Sequence, residues 1–309
     1  MMEVRSKKGR KWLKVTGIFL LLVLVAAGVY GFMVYHSLKD AVVTMHQPVK
    51  RTVPEKRPQP VALEKKEPFS VLMLGVDERK GDKGRSDTII VLAVNPNNNS
   101  VKMLSIPRDT RTKIVGKGTE DKINHAYSFG GVPMSMATVE EFLDIPIDYY
   151  MQINMEGFKD IVDAVGGVKV YNDFDFSQGN SHFPIGEINL NGEQALSFSR
   201  MRYEDPRGDF GRQLRQRQII EGVIDEGMSL SSLTSFSSIF EAIGKNIKTN
   251  LTFDQMADIQ KNYKDAGKTI QQMEIKETGT MINKIYYGLV SPEEKTRIQS
   301  ELKKQLELQ

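Results

Sequence analysis

The chain has 309 residues, 40% of them apolar and 26% charged, the balance of a globular protein able to bury a real core. It contains no cysteine, which excludes disulfide scaffolds, thiolate zinc sites and cysteine nucleophiles. The formal net charge of +3 is smaller than the surplus carried by the first fourteen residues alone, so local charge is what informs.

Residues 15–35 contain no charged side chain and are rich in Leu, Val, Ile and Ala. At about 1.5 Å per residue such a run spans roughly 30 Å, the thickness of a bilayer's hydrocarbon. Arg5, Lys7, Lys8, Arg10, Lys11 and Lys14 precede it against the single acid Glu3. The positive-inside rule therefore places a basic tail, 1–14, in the cytoplasm, a transmembrane signal-anchor over 15–36, and the rest outside. The expected location is the cell membrane, single-pass and type II, with the folded part extracytoplasmic. A cleaved secretory signal is the rival reading, since Ala26-Ala27-Gly28 offers small residues, but the apolar run exceeds the usual signal core.

Residues 37–67 mix Pro48, Pro54, Pro58 and Pro60 with Lys, Arg and Glu and keep no period of 2 or 3.6, so an extended stalk is expected there. The domain proper is expected over 68–309. Val71-Leu72-Met73-Leu74 and residues 88–94 read as buried strands. Asn95-Pro96-Asn97-Asn98-Asn99 is dense turn chemistry before a third strand over 101–106, so the two form a hairpin that Pro107 stops. Helix is expected over 133–143, strand over 147–153, and an amphipathic helix over 155–165 closed by Gly166-Gly167, before strand resumes at 168–170. Further helices are expected at 194–198, 213–224, 253–265 and 292–306, with a strand at 269–275. The alternation predicts an α/β fold, a three-layer α/β/α domain with a mixed central sheet.

The least ordinary stretch is 200–217, where Arg200, Arg202, Arg207, Arg212, Arg215 and Arg217 stand against Glu204, Asp205 and Asp209 with no lysine among them. Guanidinium offers a rigid fork matched to phosphate oxygens, whereas lysine is a point charge. Arg200 and Arg202 share a face if the segment is extended, and Arg212, Arg215 and Gln216 share one if it is helical. Cations in a first helical turn oppose the macrodipole, and a bound anion would answer both. The plain alternative is a solvated basic helix balanced by nearby acids.

A second constellation comprises Gly75-Val76-Asp77, Gly84-Arg85-Ser86-Asp87-Thr88 and Pro107-Arg108-Asp109, each at an expected strand end. Asp77 and Asp87 on neighbouring loops suit Mg2+, which takes one or two protein carboxylates and leaves its other positions to water and phosphate. Arg85 and Arg108 would clamp the same phosphates. Ordinary turn chemistry is the alternative for each aspartate alone. His125 and His182 lack metal-ligand spacing, no G-x-S-x-G elbow or P-loop is present, and only Tyr203 and Phe210 interleave the arginines.

Taken together, Gly75-Val76-Asp77, Arg85-Ser86-Asp87-Thr88, Ser105-Ile106-Pro107-Arg108-Asp109, Ser199-Arg200-Met201-Arg202 and the run from Asp209 to Gln216 resemble the LytR-CpsA-Psr family. The resemblance implies transfer of an anionic glycopolymer, such as wall teichoic acid, from undecaprenyl pyrophosphate to a sugar hydroxyl of peptidoglycan, forming a phosphodiester with Mg2+. It implies that Asp77 and Asp87 hold the metal, and that Arg85, Arg108, Arg200, Arg202, Arg212 and Gln216 bind pyrophosphate, with Arg215 and Asp209 as support. Asp77, Asp87, Arg108 and Arg212 would be the catalytic group. The prenyl chain would enter between sheet and helices, with Phe158, Ile161, Val162 and Val165 as lining candidates that read equally as core.

Phosphoryl transfer asks mainly for positioning and electrostatics, so no covalent nucleophile is needed, and a base could be Asp77, Asp87, Asp109 or none. A module that only binds polyanions would need the arginines but not the aspartates, and a pyrophosphate hydrolase would differ only in the attacking group. Nucleic acid is not an expected partner, because the arginines lie across the membrane from residues 1–14.

Overall fold

The structure, a computed structural model, describes residues 32–33, 36, 39–49, 56–57, 59–77, 84–229, 244 and 246–308. The expected basic tail and nearly all of the expected signal-anchor lie outside these residues. Among the described residues no helix is long and apolar enough to cross a membrane.

Strands β1 (Phe69–Val76), β2 (Ser86–Asn95) and β3 (Ser100–Ser105) are followed by a small hairpin, β4 (Arg111–Lys113) and β5 (Glu120–Lys122), and by helix α1 (His125–Leu143). Next come β6 (Tyr149–Ile153), α2 (Met155–Ala164), β7 (Val168–Asn172), β8 (Phe176–Gln178), β9 (Ser181–Phe183) and β10 (Gly186–Leu190). Helices α3 (Gly192–Arg200) and α4 (Asp209–Ser229) lead to β11 (Ile247–Thr249), α5 (Phe253–Asn262), β12 (Ile270–Met273), a hairpin of β13 (Glu277–Ile282) and β14 (Ile285–Val290), and α6 (Pro292–Gln305).

The central sheet has the order β11-β6-β1-β2-β3-β12 and is mixed: β1 runs parallel to β6 and antiparallel to β2. Side chains alternate across a strand, which assigns the two faces. Leu72, Leu74 and Val76 of β1, with Ile89, Val91 and Ala93 of β2, pack under Val139 and Phe142 of α1 and Ile298 and Leu302 of α6. The intervening Phe69, Val71, Val94 and Val101 face Leu63, Leu251 and Tyr263 on the other side. Both faces are covered, which is why β1 and β2 read as continuous apolar runs.

The expected hairpin forms as anticipated. Asn95 Oδ1 accepts from the Asn97 amide at 2.8 Å, and Asn99 takes φ +50°. Helix α1 begins eight residues before its expected start, but its backbone leaves helical values at Gly130 and Gly131, and the expected start at Pro133 is where the second segment resumes. Asn154 caps α2, and capping boxes open α3 (Asn191 with Gln194) and α5 (Thr252 with Gln255). The short pairs β8–β9 and β13–β14 were not anticipated.

The expectation of an extended stalk over 37–67 requires correction where that segment is described. Val42 and Met45 are buried against Ile247, with Met151, Ile161 and Phe253 around them. His46 bridges Thr249 along the outer edge of β11, and the Tyr150 hydroxyl donates to the Gln47 carbonyl at 2.8 Å. Arg57 pairs with Asp148 at 2.9 Å, and Leu63 is in the core. An exposed edge strand invites pairing, and these residues cover it. Residues 39–45 are helical and precede the first proline, Pro48, and two apolar residues three apart suffice to fill one gap. Met45→Ala is expected to destabilise the full-length chain by about 2–5 kcal/mol in thermal unfolding, and an unchanged melting temperature would show that the segment is not packed.

Candidate active site

The ends of three adjacent strands build one side of the site. Gly75 pairs with Thr88, but Val76 pairs with Ser86, so one residue of β2 is skipped just where the strands end. Such irregularities re-aim side chains, and here they bring Asp77 and Asp87 to the rim of one cavity. Arg108, just past β3, donates from Nη1 to Asp87 Oδ1 at 2.8 Å.

Helices α2, α3 and α4 build the other side. The cavity, of about 300 Å³, is apolar at depth, where Met73 and Ile90 of the sheet meet Phe158, Leu196 and Ile220. At its mouth stand Asp77, Asp87, Arg200, Arg212 and Gln216. A narrow crevice continues from there between Ser105, Arg108, Asp209 and Arg212. Arg212 and Gln216, one helical turn apart on α4, border both spaces.

Charge is nearly balanced inside this cluster. Asp209 meets Arg212 Nη2 at 2.6 Å and Arg202 Nε at 4.0 Å, and it accepts from Gln213 at 2.9 Å. Burial lowers the pKa of the Arg212 guanidinium, and Arg108 and Arg202 push the same way against Asp209 and Asp87. Burial opposes the charge of Arg108 too, but Asp87, Asp109 and Asp209 outweigh it and raise that pKa. Arg212 Nε and Ser105 Oγ are buried without hydrogen-bond partners in the protein, and buried donors left so are uncommon.

Not every anticipated residue is at the mouth. Arg85 is exposed beside Asp87 and lines neither space, and Arg202 reaches the cluster through Asp209. Arg215, expected to share the ligand face with Arg212, points the other way. Its Nη1 meets Asp205 Oδ2 at 2.6 Å, while Nε and Nη2 donate to the carbonyls of Phe198 and Met201. Arg207 holds the second oxygen of Asp205 at 2.9 Å and pairs with Asp173 at 2.7 Å, and Arg217 is buried against Gln272 and Glu274. Three of the six arginines thus fix the frame. Of the anticipated lipid-pocket residues, Phe158 lines the cavity, whereas Ile161, Val162 and Val165 pack in the core. Thr88, which stands in a recognised motif without an assigned role, and Asn154, which sequence reasoning passed over, line the cavity as well.

Asp205 is admitted by Gly211, where an added Cβ would fall 1.9 Å from its carboxylate. This places the carboxylate against the first turn of α4, whose dipole favours it.

The chain matches the model of the LytR_cpsA_psr family over residues 32–304. It belongs to the LytR-CpsA-Psr family. A relative from Bacillus subtilis (strain 168), the polyisoprenyl-teichoic acid–peptidoglycan teichoic acid transferase TagU, is 52% identical over 305 residues, 99% of each chain. The crystal structure of B. subtilis TagU superposes with a TM-score of 0.65 at 51% identity, covering 79% of this chain and 99% of that one. A structure described as TagT bound to LI-WTA superposes with a TM-score of 0.75 at 30% identity, covering 85% of this chain and all of that one. Of the motifs that carried the resemblance, the fold brings Asp77, Asp87, Arg200, Arg212 and Gln216 to one cavity.

The frame makes a prediction through acid. Burial would raise the Asp205 carboxyl, but Arg207 and Arg215 hold it well down, at about 2 against an ordinary 3.8. Its contribution to stability is complete above the unfolded value and disappears as pH falls through the folded one. Asp205→Asn is expected to be less stable at neutral pH and to lose the acid-dependent loss of stability between about pH 4 and 2, followed by circular dichroism. An acid-unfolding curve parallel to that of the parent would refute this role.

Proposed function

We propose that this LytR-CpsA-Psr protein is a phosphotransferase that moves an anionic glycopolymer, wall teichoic acid in the first instance, from a polyprenyl pyrophosphate to a sugar hydroxyl of peptidoglycan. The observation that carries it is the continuity of an arginine-lined mouth with an apolar cavity, a shape and polarity that fit a lipid ending in phosphates. The relatives named as teichoic acid transferases support the same reading. The membrane anchor over 15–36 and the extracytoplasmic placement of the domain belong to this proposal. They rest on the charge and length of the N-terminal sequence.

In this reading the acceptor hydroxyl attacks the phosphorus that bears the polymer, and the bond to the lipid phosphate breaks. Arg108, Arg200, Arg202 and Arg212 bind the phosphate oxygens, Gln216 orients them, and the walls of the cavity exclude water. Charge in phosphoryl transfer spreads over the non-bridging oxygens, where guanidinium forks act without reorganisation. Asp77 and Asp87 form an all-oxygen pair suited to Mg2+, with no third carboxylate needed if phosphate and water complete its shell. They would hold the ion, which when bound neutralises phosphate charge. In the same reading Arg85, exposed two residues before Asp87, meets the outer phosphate or the first sugars of the polymer.

The test uses the full-length protein in detergent with a short prenyl-pyrophosphate-linked disaccharide and peptidoglycan fragments, with and without Mg2+, read by mass spectrometry. A Mg2+-dependent phosphodiester adduct is expected. Arg212→Ala should reduce its rate by about a thousandfold or more, the scale of an arginine that stabilises transferring phosphate. Asp87→Asn should also abolish the dependence on Mg2+. Release of free sugar phosphate alone would replace transfer by hydrolysis, and recovery of intact lipid in tight complex would leave only a binding module.

A further inference from the structure

The hairpin β13–β14 was anticipated by no motif, yet it is fastened to the active-site end of the sheet. Its Gly288 amide donates to the Asp109 carbonyl at 3.0 Å, and its backbone bridges Thr110. Across the hairpin Glu277 lies over Gly288, where an added Cβ would fall 2.0 Å from Glu277 Oε2. The buried Thr110 hydroxyl donates to that oxygen at 3.2 Å. The carboxylate is thus seated by a glycine and a threonine, and among the described residues no Lys or Arg stands within ion-pair distance of it. The other acids nearby are already paired: Asp109 with Lys122 at 2.5 Å and Arg108 at 3.7 Å, Asp209 with Arg212 at 2.6 Å.

Tyr286 shares the face of Glu277. It pairs with Met281, four residues along β13, and its hydroxyl lies beside Gly279, so the ring spreads over the hairpin with 47% of its surface exposed. Burial raises the pKa of the phenol, with Glu277, Asp109 and Asp209 adding to the rise and Arg202 opposing it. Asp109 of the β3–β4 turn, with its partner Lys122 of β5, adjoins the hairpin through the Gly288 amide, and Arg202 and Asp209 from the approach to α4 act on it through charge. An exposed aromatic ring next to a carboxylate is the usual surface for a sugar, the ring taking the C–H face and the carboxylate a hydroxyl.

We propose that Glu277 is the general base of the transfer and that Tyr286 seats the acceptor sugar beside it. This rests on the transferase reading above. The acceptor O–H bond breaks and its proton passes to the Glu277 carboxylate as the new O–P bond forms. The P–O bond to the lipid phosphate breaks, and its electron pair leaves with that phosphate. Burial, then the like charges of Asp109 and Asp209, raise the Glu277 carboxyl above its ordinary value against the Thr110 hydrogen bond, which makes it a better proton acceptor than a solvated carboxylate.

The experiment uses the full-length protein in detergent with the prenyl-pyrophosphate-linked disaccharide as donor and an N-acetylhexosamine oligosaccharide as acceptor, and it measures donor Kd by calorimetry alongside transfer. Glu277→Gln is expected to lower kcat about a hundredfold with donor Kd unchanged, and to flatten the rise of rate with pH through the carboxyl range, while Glu277→Asp restores part of both. Tyr286→Ala is expected to raise the acceptor KM about tenfold, again with donor Kd unchanged. A Glu277→Gln variant within twofold of the parent, or one that loses donor affinity in step with kcat, would overturn the proposal, as would an unchanged acceptor KM in Tyr286→Ala. A parent protein that cleaves the donor but transfers to no sugar would contradict the transferase reading itself.

Discussion

The buried contact between Arg215 and Asp205 holds the site in shape. Arg215 sits on α4, Asp205 in the turn before it, and the other donors of the same guanidinium reach the carbonyls of Phe198 and Met201 at the end of α3. One side chain therefore fixes the angle at which α3 hands over to α4. Arg200 and Arg202 lie on that handover and Arg212 on the first turn after it. Removing one partner of such a buried pair costs roughly 3–5 kcal/mol, because the other charge is left without compensation. A change in this frame would also move Arg200, Arg202 and Arg212, the three arginines proposed to bind phosphate.

Around that frame the site separates two tasks that lie within a single basic stretch of sequence. Arg207, Arg215 and Arg217 spend their donors on Asp173, Asp205, Gln272 and Glu274. Arg108 and Arg212 face the crevice, where Asp87 and Asp209 pair with them and hold the mouth together. The orphaned Nε of Arg212 is the residue of that balance. Opposite it, the sheet supplies two carboxylates through a skipped residue in the β1–β2 register, and the helices supply the apolar depth.

Much of this was legible in the sequence. Apolar runs closed by turn residues marked β1, β2 and β3, and the motifs at their ends marked the carboxylates and Arg108. The division of labour among the arginines was not legible, because helical spacing puts Arg212 and Arg215 on neighbouring faces and cannot say that Asp205 draws one of them inward. The packed segment around Val42 and Met45 was hidden because it is barely two helical turns long, too short for an apolar period to stand out. The β13–β14 hairpin was hidden because its turn is Asn283-Lys284, both at positive φ, where the usual sequence signal is Asn-Gly. Glu277 and Tyr286 were passed over with it. Family resemblance reached the residues proposed to bind phosphate and did not extend to Glu277 and Tyr286 of the hairpin.

The most direct measurement is the structure of the full-length protein bound to a polyprenyl pyrophosphate. Phosphate oxygens are expected within hydrogen-bond distance of Arg108, Arg212 and Gln216, with the lipid running between the β1–β2 face and helices α2, α3 and α4 past Phe158, Leu196 and Ile220. Phosphates held instead by Arg207 or Arg217, or a lipid lying outside that cavity, would contradict this.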